Sequence, residues 1–228
     1  MQPVLISSPN VDEATKYGSH HLRKLAGWLA AQNIQTVYMR NAILSQLEQN
    51  LEEFDPALVI MGGHGGSKGV LGINDHVILG TPTFDPELNI KIFYSNTEWM
   101  KDRIVYLFTC FSGRVLAQKL IDAGAKAVVA YKSAFIFNTV SSLEPSEDFV
   151  AEPYFNAALQ LPIQLALDHT LHESVEMMMA TYMFHVETAE ARGDELQAKY
   201  LNHDAVNIVA LGDLDATLSG IQRLMLII

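Results

Sequence analysis

Six short apolar runs recur along the chain, and between most of them the apolar residues fall every three or four positions. The runs are "PVLISS" (Pro3–Ser8), "QTVYMR" (Gln35–Arg40), "ALVIMGG" (Ala57–Gly63), "RIVYLFT" (Arg103–Thr109), "KAVVAY" (Lys126–Tyr131) and "AVNIVALGD" (Ala205–Asp213). Runs of this length that do not alternate with polar residues predict strands buried on both faces. Helical spacing predicts helices over Val11–Asn33, with Leu22, Leu25, Trp28 and Leu29 on one side, and over Ala42–Phe54 and Gly113–Ala125. A mostly helical stretch runs from Pro153 to Arg192, interrupted near Pro162. Alternating helices and fully apolar strands predict an α/β domain, a three-layer sandwich around a mainly parallel six-stranded sheet. The least regular segments are Gly66–Asn96 and Ser141–Pro153.

Composition narrows the class of function. The chain has 228 residues, 49% hydrophobic and 18% charged, enough for one large domain with a substantial core. Lys+Arg 15 against Asp+Glu 26 gives a net charge of −11. Such a field repels phosphate backbones, so no nucleic-acid partner is expected. No apolar run approaches the roughly 20 residues that span a bilayer, and the first residues, "MQPVLISSPN", do not read as a signal peptide. The end, "LMLII", reads as a short packed segment. The single cysteine, Cys110, rules out an intrachain disulfide. A cytoplasmic location with no membrane partner is therefore expected.

Two loops carry the candidate chemistry. In a parallel sheet, ligands bind beyond the carboxyl ends of the strands. There the third run opens into "GGHGGSKG", with His64 among four glycines, and the fourth into "TCFSG", with Cys110. If these strands are neighbours, thiol and imidazole meet at one sheet edge. A base beside it, or the dipole of a following helix, would favour the Cys110 thiolate, and His64 could protonate a leaving amine. The Gly65 and Cys110 N–H groups could stabilise an oxyanion. Two other readings stand beside this one: a catalytically silent module of the same fold that binds partners, and a nucleotide- or phosphate-binding protein using the glycine loop. The loop lacks the Gly-Lys-Ser/Thr order of a P-loop. His169, His172 and Glu176, spaced i, i+3 and i+7, are read as a solvated helix face rather than metal ligands, Met177–Met179 as core filling, and His20 and His21 as a polar face.

The ordered set "GGHGG", "TCFSG", "AGAKAVVAY" and "NIVALGD" resembles the caspase-like cysteine peptidases of clan CD, most of all the gingipain and CHAT branch. The resemblance runs from the first strand to Asp213. It implies a caspase–hemoglobinase fold and hydrolysis of peptide or protein substrates without a cofactor. By position it makes Cys110 the nucleophile, His64 the general acid/base and Gly65 N–H an oxyanion donor. The chain departs from arginine-specific members, which carry an acidic residue two positions before the cysteine where this chain has Phe108, and Leu214 stands where a proline is common.

The substrate pocket is expected between the His64 loop, the Cys110 turn and "YKSAFIF" after the fifth strand. Phe108, Phe135 and Phe137 would form an apolar wall near Ser133. Asp75, Glu144 and Asp148 are the acidic candidates, and with the net charge they favour Lys or Arg before the cut. "SSLEPSEDFVAEP" (Ser141–Pro153), with two prolines and four acidic residues, is expected to be exposed and mobile, and this loop or the Gly66–Asn96 segment is expected to rearrange or be cleaved on activation.

Overall fold

The computed structural model describes residues 2–220, so the "LMLII" segment lies outside it. In chain order the strands are β1 (Val4–Ser7), β2 (Thr36–Met39), β3 (Leu58–Gly62), β4 (Gly69–Leu71), β5 (Val77–Gly80), β6 (Thr83–Asp85), β7 (Ile90–Ile92), β8 (Ile104–Phe108), β9 (Ala127–Tyr131) and β10 (Ile208–Gly212). The helices are α1 (Glu13–Ala31), α2 (Leu44–Phe54), α3 (Leu116–Asp122), α4 (Glu152–Ala158), α5 (Gln160–Ala166), α6 (Leu171–Ala191) and α7 (Glu195–Val206). The expected α/β architecture is present. Six strands form one sheet in the order β10-β9-β8-β3-β1-β2, parallel throughout except for β10, which runs antiparallel to β9.

The pleat divides the strand residues between two cores. Val4, Ile6, Leu58, Ile60, Tyr106 and Val129 pack against α1 and the α4–α7 helices. Leu5, Val59, Met61, Val105, Leu107 and Val128 pack on the other face against Leu47 and Leu51 of α2 and Leu116 and Leu120 of α3. Helices thus cover both faces, which is why the strands read as continuous apolar runs. From β1 the chain passes to β2 on one side and then to β3 on the other. That reversal opens a crevice beyond the carboxyl ends of β1 and β3.

Several elements differ from the sequence reading. The segment taken as irregular over Gly66–Asn96 holds two antiparallel hairpins, β4–β5 and β6–β7. Their strands are only three or four residues long, too short to show a period. Helix α7 was missed, and its last residues Ala205 and Val206 were read into the final strand. Its buried side chains include the polar Gln197 and Asp204, which hide the apolar stripe. The interruption expected near Pro162 falls at Leu159, between α4 and α5, and Pro162 itself is the third residue of α5, where a backbone N–H has no intrahelical acceptor.

Ser141–Pro153 is not simply an exposed loop either. Asp148 is buried and accepts hydrogen bonds from the Tyr17 hydroxyl at 2.8 Å and from the backbone N–H groups of Val140, Val150 and Ala151. Helix α4 already begins at Glu152.

Candidate active site

Strand β3 pairs with β8 in parallel, Gly62 opposite Phe108, so the loops that follow them leave the sheet side by side. His64 and Cys110 line one cleft of about 70 Å³ in the crevice between β1 and β3. Ala14, Thr15 and Gly18 of α1 form one wall, and Phe108, Phe135, Phe137 and Phe155 form the aromatic part of the lining.

The glycines of the His64 loop are explained by what approaches them. The loop folds back as a narrow bridge in which Leu71 N–H donates to His64 O and Gly66 N–H to Gly69 O, each at 2.9 Å. In this pattern Gly65 faces Val70 as the pair that shares no hydrogen bond, so its own N–H takes no part in the bridge. A Cβ at Gly65 would overlap Thr109 and the Cys110 carbonyl, so its absence lets the two loops touch. Gly65 is buried behind the cleft wall rather than in it.

A Cβ at Gly66 would overlap the carboxylate of Asp85, which is wholly buried. Asp85 accepts from Lys68 N–H at 2.6 Å, and Glu87 accepts from the Ser67 hydroxyl at 2.7 Å. The glycine-rich turn therefore already holds two anions of the protein itself. Glu87 also pairs with Arg114 at 2.9 Å, tying the His64 loop to the turn after Cys110. The Ser67 hydroxyl is the main reason its carboxyl is lowered to about 2.

The Cys110 turn is built by backbone pairing to the next strand. Phe111 N–H donates to Ser133 O at 3.0 Å and Gly113 N–H to Tyr131 O at 2.9 Å. Phe111 adopts a left-handed φ of 60°, a costly conformation for a bulky residue, beside the candidate nucleophile. The Arg114 guanidinium lies 4.6 Å from its ring centroid. The expected help from a helix dipole is not there. Helix α3 starts only at Leu116 and has 7 residues, so Cys110 lies well before its first turn.

The residue missed in the sequence is Asp12. His64 Nε2 lies 2.6 Å from Asp12 Oδ2. The other carboxylate oxygen caps α1, accepting from Thr15 N–H at 2.9 Å and from its hydroxyl at 2.8 Å. Burial works against the carboxylate, but the bonds from Thr15 and then His64 outweigh it and hold the Asp12 carboxyl below its ordinary range. "VDEAT" directly after a buried strand carries the signal, because Asp with Thr three residues on is a capping pattern at the ligand-binding edge.

Cys110 is half-buried. Burial pushes its thiol up, against a smaller opposing effect from the backbone N–H of Phe135, and nearby Asp204 adds to the rise. Asp204 is itself buried, and desolvation raises it to about 8. No hydrogen bond joins Cys110 and His64 among the described residues. The site at rest thus pairs a neutral thiol with an imidazole turned to Asp12.

The remaining candidates fall in different places. Phe108 is in the cleft wall, stacked edge-on to Phe135 at 4.8 Å. Ser133 supports the Cys110 turn through its carbonyl and is not in the wall. Asp75 sits in the β4–β5 connection beside His76 and Ile43, in a different depression. Glu144 pairs with Lys16 at 2.9 Å outside the cleft, and Asp148 is spent on the loop bonds described above. None of the three carboxylates lines the cleft.

His21 is not on a polar face. It is 4% exposed, stacked on Phe155 at 4.2 Å, and its Nε2 has no hydrogen-bond partner. His169 precedes α6 and pairs with Glu173, while His172 pairs with Glu176, so the two imidazoles do not share a carboxylate. Of the methionines, Met178 is core, but Met177 is 46% exposed. Among the described residues no helix is long and apolar enough to cross a membrane. Compared with known proteins, the chain matches no family model and no curated sequence.

Proposed function

We propose that the chain is a caspase-like cysteine endopeptidase that uses Cys110 and His64. The observation that carries this reading is the common cleft. A thiol and a carboxylate-held imidazole, from loops after adjacent parallel strands, line one crevice at the carboxyl edge of the sheet. The six-stranded, mainly parallel sheet is the architecture the resemblance to clan CD calls for.

With Nε2 facing Asp12, His64 Nδ1 is the ring nitrogen left for the reaction. It takes the thiol proton as Cys110 Sγ attacks the scissile carbonyl. The oxyanion formed is met by the Cys110 N–H, whereas Gly65, buried behind the cleft wall, takes no part. His64 then gives the proton to the leaving amine, leaving a thioester. Water, deprotonated by the same nitrogen, releases the acid and restores the thiol. Because no hydrogen bond joins Cys110 to His64 among the described residues, substrate binding brings the two within reach of each other.

That same observation, a thiol without a bond to His64, favours the silent binding module as the second reading. The phosphate-binding alternative loses its site, since Asp85 and Glu87 fill the glycine turn.

Incubation with a peptidyl acyloxymethyl ketone separates these readings. The peptidase should give one adduct, on Cys110, and His64→Ala should slow its formation by about two orders of magnitude or more. Cys110→Ala should keep its fold and lose all hydrolysis. Absence of any adduct, or equal labelling of the His64→Ala protein, overturns the proposal.

A further inference from the structure

Three permanent cations line one depression beside the candidate active cleft. Lys16 and Arg23 come from the same face of α1, with His20 between them, at i, i+4 and i+7. Arg40 joins them from the end of β2, next to Tyr38. The cleft has a volume of about 250 Å³, and among the described residues Glu144 is the one acidic residue in its wall. Lys16 is held by Glu144 at 2.9 Å. Arg23 and Arg40 are exposed, and their guanidinium groups make no hydrogen bond or ion pair among the described residues. In a chain of net charge −11 this is a local reversal of sign.

The neutral groups suit the same purpose. The Tyr38 hydroxyl, bonded to Ser19 O at 3.1 Å, lies at the wall. His20 is lowered chiefly by burial and then by Lys24 and Arg23, so it stands neutral at pH 7 as a hydrogen-bonding wall.

We propose that this cleft binds a small molecule bearing more than one phosphate group. Two uncommitted guanidinium groups on different elements provide separate anchoring points, and guanidinium recognises phosphate by paired N–H bonds. Lys16 provides a third point, for which Glu144 competes. Binding therefore draws Lys16 away from Glu144 and loosens the tie between α1 and the Ser141–Pro153 segment. Helix α1 walls the active cleft with Ala14, Thr15 and Gly18. Occupancy is thereby coupled to the site, but the binding itself does not rest on the peptidase reading.

Isothermal titration of the 228-residue chain with sodium tripolyphosphate tests it. One saturable site is expected, weakening as salt is raised. The R23Q/R40Q double variant should bind about tenfold more weakly or worse, at an unchanged far-ultraviolet spectrum. E144Q should bind several-fold more tightly, because it removes the competing carboxylate. A parallel flotation assay with phosphatidylcholine vesicles carrying phosphatidylinositol bisphosphate separates the sources. Binding of tripolyphosphate without flotation assigns a soluble phosphate ligand, and flotation lost in R23Q/R40Q assigns a lipid headgroup. Both outcomes support the site. No saturable binding in either assay overturns it, as does an affinity left unchanged by both R23Q/R40Q and E144Q.

Discussion

Asp12 serves two structures through its two oxygens, one capping α1 and one holding His64. Asp12→Asn keeps a capping oxygen but removes the charge that fixes the imidazole. In the proposed peptidase this should lower kcat by about two orders of magnitude with little change in KM, and the helix should survive. Steady-state kinetics beside a thermal melt check it, and an unchanged kcat would remove Asp12 from the positioning role. His21 gives a second test at this scale. Burial, with smaller effects from His20 and Lys24, lowers its imidazole to about 3 in the folded chain. The unfolded chain, titrating near 6.5, binds more protons below that pH, so this group costs stability as pH falls from 6.5 towards 3. His21→Phe removes the cost while keeping the stack on Phe155. The melting temperature of the variant should gain on wild type as pH is lowered from 7 to 4, and a pH-independent difference would count against it. Cys110 and His64 were legible because each ends a buried strand. His21 was not, although it stands four residues from Tyr17 and four from Leu25 on the buried face of α1, because an imidazole next to His20 reads as polar by residue type.

Elements were legible where burial on both faces writes an uninterrupted apolar run. The inner strands β1, β3, β8 and β9 were found on that ground, the partly buried edge strands β2 and β10 on their apolar runs alone, and α1 and α2 on their apolar stripes. The hairpins β4–β5 and β6–β7 were not, because their folding depends on contacts distant in sequence. Asp85 on β6 holds the His64 loop, and Asn96 bonds β5 through Gly80 N–H at 3.0 Å and Ile78 O at 2.8 Å. The Ser141–Pro153 segment teaches the same lesson. Its composition reads as solvated chain, yet one buried carboxylate orders it against Tyr17 of α1. Asp148→Ala leaves a hydroxyl and three backbone N–H groups without their acceptor. It should cost about 3 kcal/mol or more of stability. Denaturant unfolding measures that, and hydrogen exchange should show lost protection confined first to residues 140–151. A loss below about 0.5 kcal/mol would mean that water satisfies the donors and the segment is the loose loop its composition suggests.

For the molecule as a whole, the sheet order decides which surface becomes the site. The reversal at β1 places Asp12, His64 and Cys110 around one crevice, and helices α1 and α4 bring Phe155 and the start of α1 to its wall. The sequence suggested Lys or Arg before the cut, from a net charge of −11 and three nearby acidic residues. Position removes that argument. Asp148 and Glu144 are engaged in other bonds, and Asp75 lies in a separate depression. Net charge spread over the surface is screened within roughly 8 Å at physiological salt and cannot replace a carboxylate in the wall. What the cleft offers instead is four phenylalanine rings, Phe108, Phe135, Phe137 and Phe155. A guanidinium there would lose water without gaining a charged partner, whereas an uncharged apolar side chain gains burial. In the proposed peptidase, a peptide library should therefore be cut after apolar residues, with Lys and Arg disfavoured by about tenfold or more in kcat/KM. Phe108→Asp gives the uncharged wall a carboxylate and should narrow that gap or invert it, at some cost in stability because the side chain is buried. Preferential cleavage by wild type after Lys or Arg would overturn the argument from the apolar wall.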